Sequence, residues 1–136
     1  MKPPLEAENL DDLLICRLRG ELTSSLLEQL KKNLAERIRK TKILKVLLVL
    51  KEVEYITSRD LGALVQIYRF MDKERREHKV EDEPVLALSD LNPFVEDVIE
   101  MTKLETVFKI FETESEAVSA LCARAAEAKP PSDESL

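Results

Sequence analysis

A chain of 136 residues is the size of one domain, and 44% hydrophobic content is enough to fill a single core. The balance of 27 acidic against 21 basic residues, a net charge of -6, argues against a sequence-independent nucleic-acid binder and suits an acidic, soluble surface. One histidine and two cysteines leave little material for a metal centre or a nucleophile-base pair, so no cofactor and no enzymatic activity are expected.

In chain order, Leu5 to Asn9 and Leu13 to Arg19 read as two strands joined by a turn at Asp11-Asp12, with Gly20 stopping the second. Ser25, three residues before Glu28, has capping-box spacing, and the apolar stripe Leu27, Leu30, Leu34, Ile38 predicts a helix from about Ser25 to Lys40. The run from Ile43 to Leu50 is apolar without alternation, the pattern of a strand covered on both faces. It is far too short for a membrane span, which needs about 20 residues, and Met1-Lys2-Pro3-Pro4 leads into no signal-peptide core. A cytoplasmic protein is expected, with no direct membrane insertion. Cys16 and Cys122 sit in apolar settings without metal-ligand spacing and read as buried free thiols.

After the polar turn Tyr55-Ile56-Thr57, the spacing of Leu61, Leu64, Val65, Tyr68 and Met71 predicts a helix from Ser58 to about Glu77. The hydroxyl of Ser58 falls at the helix start, where ordinary N-capping is the simplest role for it. The charged end of this helix, Asp72 to Arg76, is expected to project into solvent, and His78 to lie in an exposed loop over residues 77–83. Val85 to Leu88 is a short strand. Asn92-Pro93 then caps a helix carrying Phe94, Val98, Ile99 and Met101. Val107 to Phe111 reads as a last strand, Thr113 and Glu116 form a second capping box, and a helix runs to about Ala128. Residues 1–128 thus form one domain, and residues 129–136 lack core material and read as a disordered tail. The order β-β-α-β-α-β-α-β-α defines a mixed α/β fold, a central mixed sheet with about four helices packed on it through right-handed crossovers.

Three stretches carry a family likeness: Leu18-Arg19-Gly20-Glu21-Leu22; Val53 through Gly62; and Leu104 to Phe111 running into Glu114-Ser115-Glu116-Ala117. In this order the chain resembles a STAS domain, the fold of anti-sigma factor antagonists that also occurs at the cytoplasmic end of sulfate transporters. In such antagonists the central turn typically reads Asp-Ser-Ser-Gly-Leu-Gly, and a partner anti-sigma kinase phosphorylates its first serine. The resemblance places that serine at Ser58, with Thr57 a weaker phosphorylation candidate. Thr57, Arg59 and Asp60 depart from the pattern at the acidic residue, the second serine and the first glycine.

The likeness implies a regulatory module that binds an anti-sigma factor, a serine kinase of the GHKL type, as a monomer or weak dimer. Its partner surface is expected to gather Glu21, Tyr55, Thr57, Ser58, Arg59 and Asp60. Tyr55 by itself reads as a buried aromatic, and Glu21 as a solvated loop carboxylate. Two alternatives stay open: a structural component of a signalling assembly built with other STAS proteins, and an accessory subunit of a membrane transport complex.

Overall fold

The computed structural model describes residues 3–10, 12–41, 45–77, 79 and 84–122. The expected strand start at Ile43, most of the expected loop around His78 and the expected tail over 129–136 lie outside the described residues, whereas the last helix ends at Leu121, where the extended Cys122 caps it, short of the expected Ala128. The elements are β1 (Leu5–Leu10), β2 (Leu13–Arg19), α1 (Ser24–Thr41), β3 (Lys45–Glu52), α2 (Ser58–Glu77), β4 (Val85–Ser89), α3 (Pro93–Met101), β5 (Lys109–Phe111) and α4 (Glu114–Leu121). They form one five-stranded sheet in the order β1-β2-β3-β4-β5, with β1 antiparallel to β2 and every other neighbouring pair parallel.

The alternating direction of strand side chains divides the core in two. Leu14, Cys16 and Leu18 of β2 and Val46, Leu48 and Leu50 of β3 face a large core shared with α1, α2 and α3. Leu13, Ile15, Leu47 and Val49 point the other way, against Ala117 and Leu121 of α4. The uninterrupted apolar run of β3 follows from burial on both sides. Both cysteines are buried thiols, and desolvation pushes the Cys16 thiol up to about 12.

Several local expectations need correction. Thr23, not Ser25, caps α1: its Oγ1 accepts from Leu26 N–H at 3.1 Å and its carbonyl from Leu27 N–H at 3.0 Å, which moves the helix start forward. The buried stripe of α1 is Leu26, Leu30, Leu34, Ile38, with Leu27 half-buried beside it. In α2 the deep positions are Leu61, Leu64, Ile67 and Met71, while Val65 and Tyr68 lie at the margin.

The end of α2 is solvated only in part, at exposed Lys73 and Arg76. Glu74 is buried, and Asp72 accepts from Arg75 at 2.7 Å and pairs with Arg76 at 3.1 Å, so the segment folds onto its own ion pairs. The last strand is shorter than its apolar pattern, because the N–H groups of Val107 and Phe108 both donate to the Leu104 carbonyl in a 3-10 turn. That turn buries Phe108 before β5 begins.

Candidate functional site

Four parallel strands place their C-terminal ends, and the starts of the helices that follow, along one edge of the sheet. That edge holds the residues singled out above. Gly20 adopts φ +79°, a left-handed conformation that side chains rarely take, and its N–H donates to the Glu52 carbonyl at 3.1 Å. This turn carries the chain from β2 into Glu21 and fixes the Glu21 loop beside the end of β3.

Glu21 and Tyr55 meet there. Tyr55 Oη donates to Glu21 Oε1 at 2.5 Å, and the ring is 45% exposed. Tyr55 is therefore not a core aromatic. Its side chain is held on the surface by a charged hydrogen bond, and the core position in that loop belongs to Ile56. The bond to the Glu21 carboxylate raises the phenol above its ordinary value, with desolvation and the charges of Glu21, Asp60 and Glu54 adding to it.

The start of α2 separates two hydroxyls that are adjacent in sequence. Thr57 Oγ1 accepts from Asp60 N–H at 3.1 Å, and Asp60 Oδ2 accepts from Thr57 N–H at 3.0 Å. Thr57 and Asp60 thus form a reciprocal capping box, with the Leu61 N–H donating to the Thr57 carbonyl at 3.0 Å. Ser58 is the first helical residue rather than the cap. Its side chain is exposed, and its hydroxyl makes no hydrogen bond to any described residue. Arg59 is exposed beside it.

Asn92 is the residue of this edge whose role the sequence reading missed. Its Oδ1 accepts from Val95 N–H at 2.8 Å as the α3 cap, as the sequence expects. Its Nδ2 donates across to the carbonyls of Glu54 at 2.8 Å and Val53 at 3.3 Å. The Tyr55 loop is thereby tied to the start of α3. An asparagine, unlike the serine or threonine that cap equally well, offers two donors beyond the capping oxygen, and that was the available signal. Among the described residues there is no cluster of three or more histidine, cysteine or acidic side chains fit to hold a metal ion, and no helix long and apolar enough to cross a membrane.

The model of the STAS domain family matches residues 4–117, and the chain belongs to that family. Its regulatory relatives include an anti-sigma F factor antagonist from Paenibacillus polymyxa, 26% identical over 121 residues that span 89% of this chain and 97% of that protein. The crystal structure of a candidate anti-sigma factor antagonist from Thermotoga maritima superposes with a TM-score of 0.68 at 28% identity, over 86% of this chain and 93% of the other. The unphosphorylated form of the antagonist SpoIIAA shares the fold, with a TM-score of 0.63 at 16% identity over 88% of this chain and 98% of that one.

Proposed function

We propose that this protein is an anti-sigma factor antagonist, which binds an anti-sigma factor through the C-terminal edge of its sheet and so releases a sigma factor. Family membership and the relatives' names support the reading. The observation that carries it is the Ser58 hydroxyl, exposed at the first turn of α2 and spared from capping because Thr57 does that work. The protein acts in the cytoplasm by binding rather than catalysis, as a monomer or weak dimer. Its partner is a serine kinase of the GHKL type, whose contact surface is Glu21, Tyr55, Thr57, Ser58, Arg59 and Asp60.

Phosphorylation of Ser58 would add a charge of about -1.5 to -2 next to the positive end of the helix dipole, which leaves the domain folded. Asp60 already directs its carboxylate onto the Thr57 N–H, so the phosphate joins a second anion on the same turn. A partner that had docked over the neutral hydroxyl then meets a dianion, and desolvation plus repulsion break the complex.

The test is incubation with a purified GHKL-type anti-sigma kinase and ATP, with the modified residue located by mass spectrometry. A single phosphate on Ser58, none in Ser58→Ala, and an affinity lowered about a hundredfold in Ser58→Glu are expected. Phosphate on another residue, or equal binding of Ser58→Glu and the native chain, overturns the switch. A native chain that does not bind the kinase overturns the antagonist reading as a whole.

A further inference from the structure

α2 presents a row of positive charge to solvent. Its exposed positions Arg59, Gly62, Gln66, Arg69, Lys73 and Arg76 follow one another at intervals of three and four residues, so they share one side of the helix, opposite buried Leu61, Leu64, Ile67 and Met71. At about 1.5 Å per residue the row is roughly 25 Å long, and it begins at the Ser58 turn. The carboxylates of α2 lie elsewhere: Asp60 accepts from the Thr57 N–H, Asp72 pairs with Arg75 and Arg76, Glu74 is buried, and exposed Glu77 follows the last arginine.

This arrangement does not stabilise the isolated domain. Arg59, Arg69 and Lys73 make no ion pair or hydrogen bond with any described residue. Arg59 stands in the first turn, where the helix dipole disfavours a cation, and Arg69, Lys73 and Arg76 are like charges at i, i+4 and i+7. On the α1 flank Lys31 adds a further cation, 5.6 Å from the centroid of the Phe70 ring. The chain as a whole carries the opposite sign, a net charge of -6. Among the described residues the large apolar side chains left exposed lie off this face: Tyr55, and on α3 Phe94 and Met101, outside the Val95 and Ile99 stripe that enters the core. The row therefore acts through charge rather than burial.

We infer that the solvent face of α2 is a docking track for an acidic helix of the anti-sigma factor. The inference rests on the antagonist reading above and adds to it a surface beyond the Ser58 turn. Intervals of three and four residues are those at which one helix lies nearly straight along another, and each arginine can fork onto a carboxylate. Gly62, one turn above Ser58, has open space where a Cβ would stand, so the partner's backbone can come close there. Nucleic acid and an anionic bilayer fit less well, because a broad polyanion that reaches the row also meets the acidic remainder of the chain. A second copy fits poorly too, since a two-fold contact of this face sets cation against cation. The track also accounts for the switch: a phosphate on Ser58 repels a partner only where that partner is negative, and the acidic helix supplies that charge.

The experiment follows association and dissociation of the full chain and the purified GHKL-type kinase by stopped flow, at low and high salt. Arg69→Glu combined with Lys73→Glu cancels the charge of the row without touching the Ser58 turn. Association at low salt is expected to slow about a hundredfold and to lose its salt dependence, while dissociation speeds up no more than about threefold and the melting temperature is unchanged. Lys51→Glu combined with Lys109→Glu, at exposed cations of β3 and β5, makes the same change of net charge off the helix and is expected to slow association no more than about threefold. If the α2 variant associates like the native chain, or the strand variant slows equally, the track is refuted and the antagonist reading stands. If kinase association is unchanged and the α2 variant instead loses binding to duplex DNA or phosphatidylserine vesicles that the native chain shows, the row serves a polyanion and the inference is equally overturned. If the native chain fails to bind the kinase, both readings fall together.

Discussion

Two clusters of charge on this molecule behave in opposite ways. On the α4 side of the sheet, Arg17 forks onto Glu114 at 2.6 and 3.1 Å and also reaches Glu8 at 3.0 Å and Glu6 at 3.3 Å. Arg19 answers Glu6 at 3.0 Å and Glu52 at 2.9 Å. The Glu114 hydrogen bond is the main reason the Arg17 guanidinium is held well above its ordinary value. These charges close on one another within the fold and tie β1, β2, β3 and α4 together. At the other cluster, Glu96, Asp97 and Glu100 on α3 are exposed and pair with no described residue. Charges matched internally are structural, and charges left open on α3 face solvent.

The contrast can be broken at its joints. The largest effect is expected for Asn92→Ala, which removes the α3 cap and both donors to the Tyr55 loop: a loss of about 2–3 kcal/mol in urea unfolding, with weaker partner binding because the Tyr55 loop loses its anchor. Arg17→Ala should cost about 1–2 kcal/mol, since the guanidinium is only partly exposed and its removal strands Glu114. Binding should be unaffected, and a binding loss as large as that of Ser58→Glu would place this internally matched cluster on the partner surface.

Thr57→Val should cost about 1 kcal/mol in the same measurement, whereas Ser58→Ala should change stability by no more than about 0.5 kcal/mol, because only the threonine carries the cap. Equal losses at the two positions would return the cap to Ser58. The smallest effect has the opposite sign. Gly62 is exposed in α2, has no positive φ, and a Cβ there would meet no atom within 4 Å. Gly62→Ala should therefore stabilise the helix by up to about 1 kcal/mol, and a concurrent drop in kinase affinity would mark the bare backbone as a place of close approach by the partner.

Much of the fold was legible because its signals are local. The bounds of β2 and α2, the Asn92-Pro93 start of α3 and the Thr113 cap, which accepts from Glu116 N–H at 3.1 Å, all follow from periodicity and capping chemistry over a few residues. The misassigned caps had competing hydroxyls within two positions. Thr23, Ser24 and Ser25, like Thr57 and Ser58, offer the same group to the same helix, and only backbone direction selects between them. Tyr55 was misplaced because an aromatic beside Ile56 carries two equally apolar candidates for one core position, and the carboxylate that draws the phenol outward lies 34 residues away.

The sequence by itself determined the alternation of strands and helices, the doubly buried central strand, the likeness to the STAS family and the location of the Ser58 turn. These rest on interactions between residues close in the chain. Only the tertiary structure decided which hydroxyl is free, that Glu21 and Tyr55 form a pair, that Asn92 joins two loops, and that α3 shows two apolar stripes of which the core accepts one. Each of those depends on contacts between segments that the sheet brings to one edge, and no local pattern encodes which partner a side chain will find there.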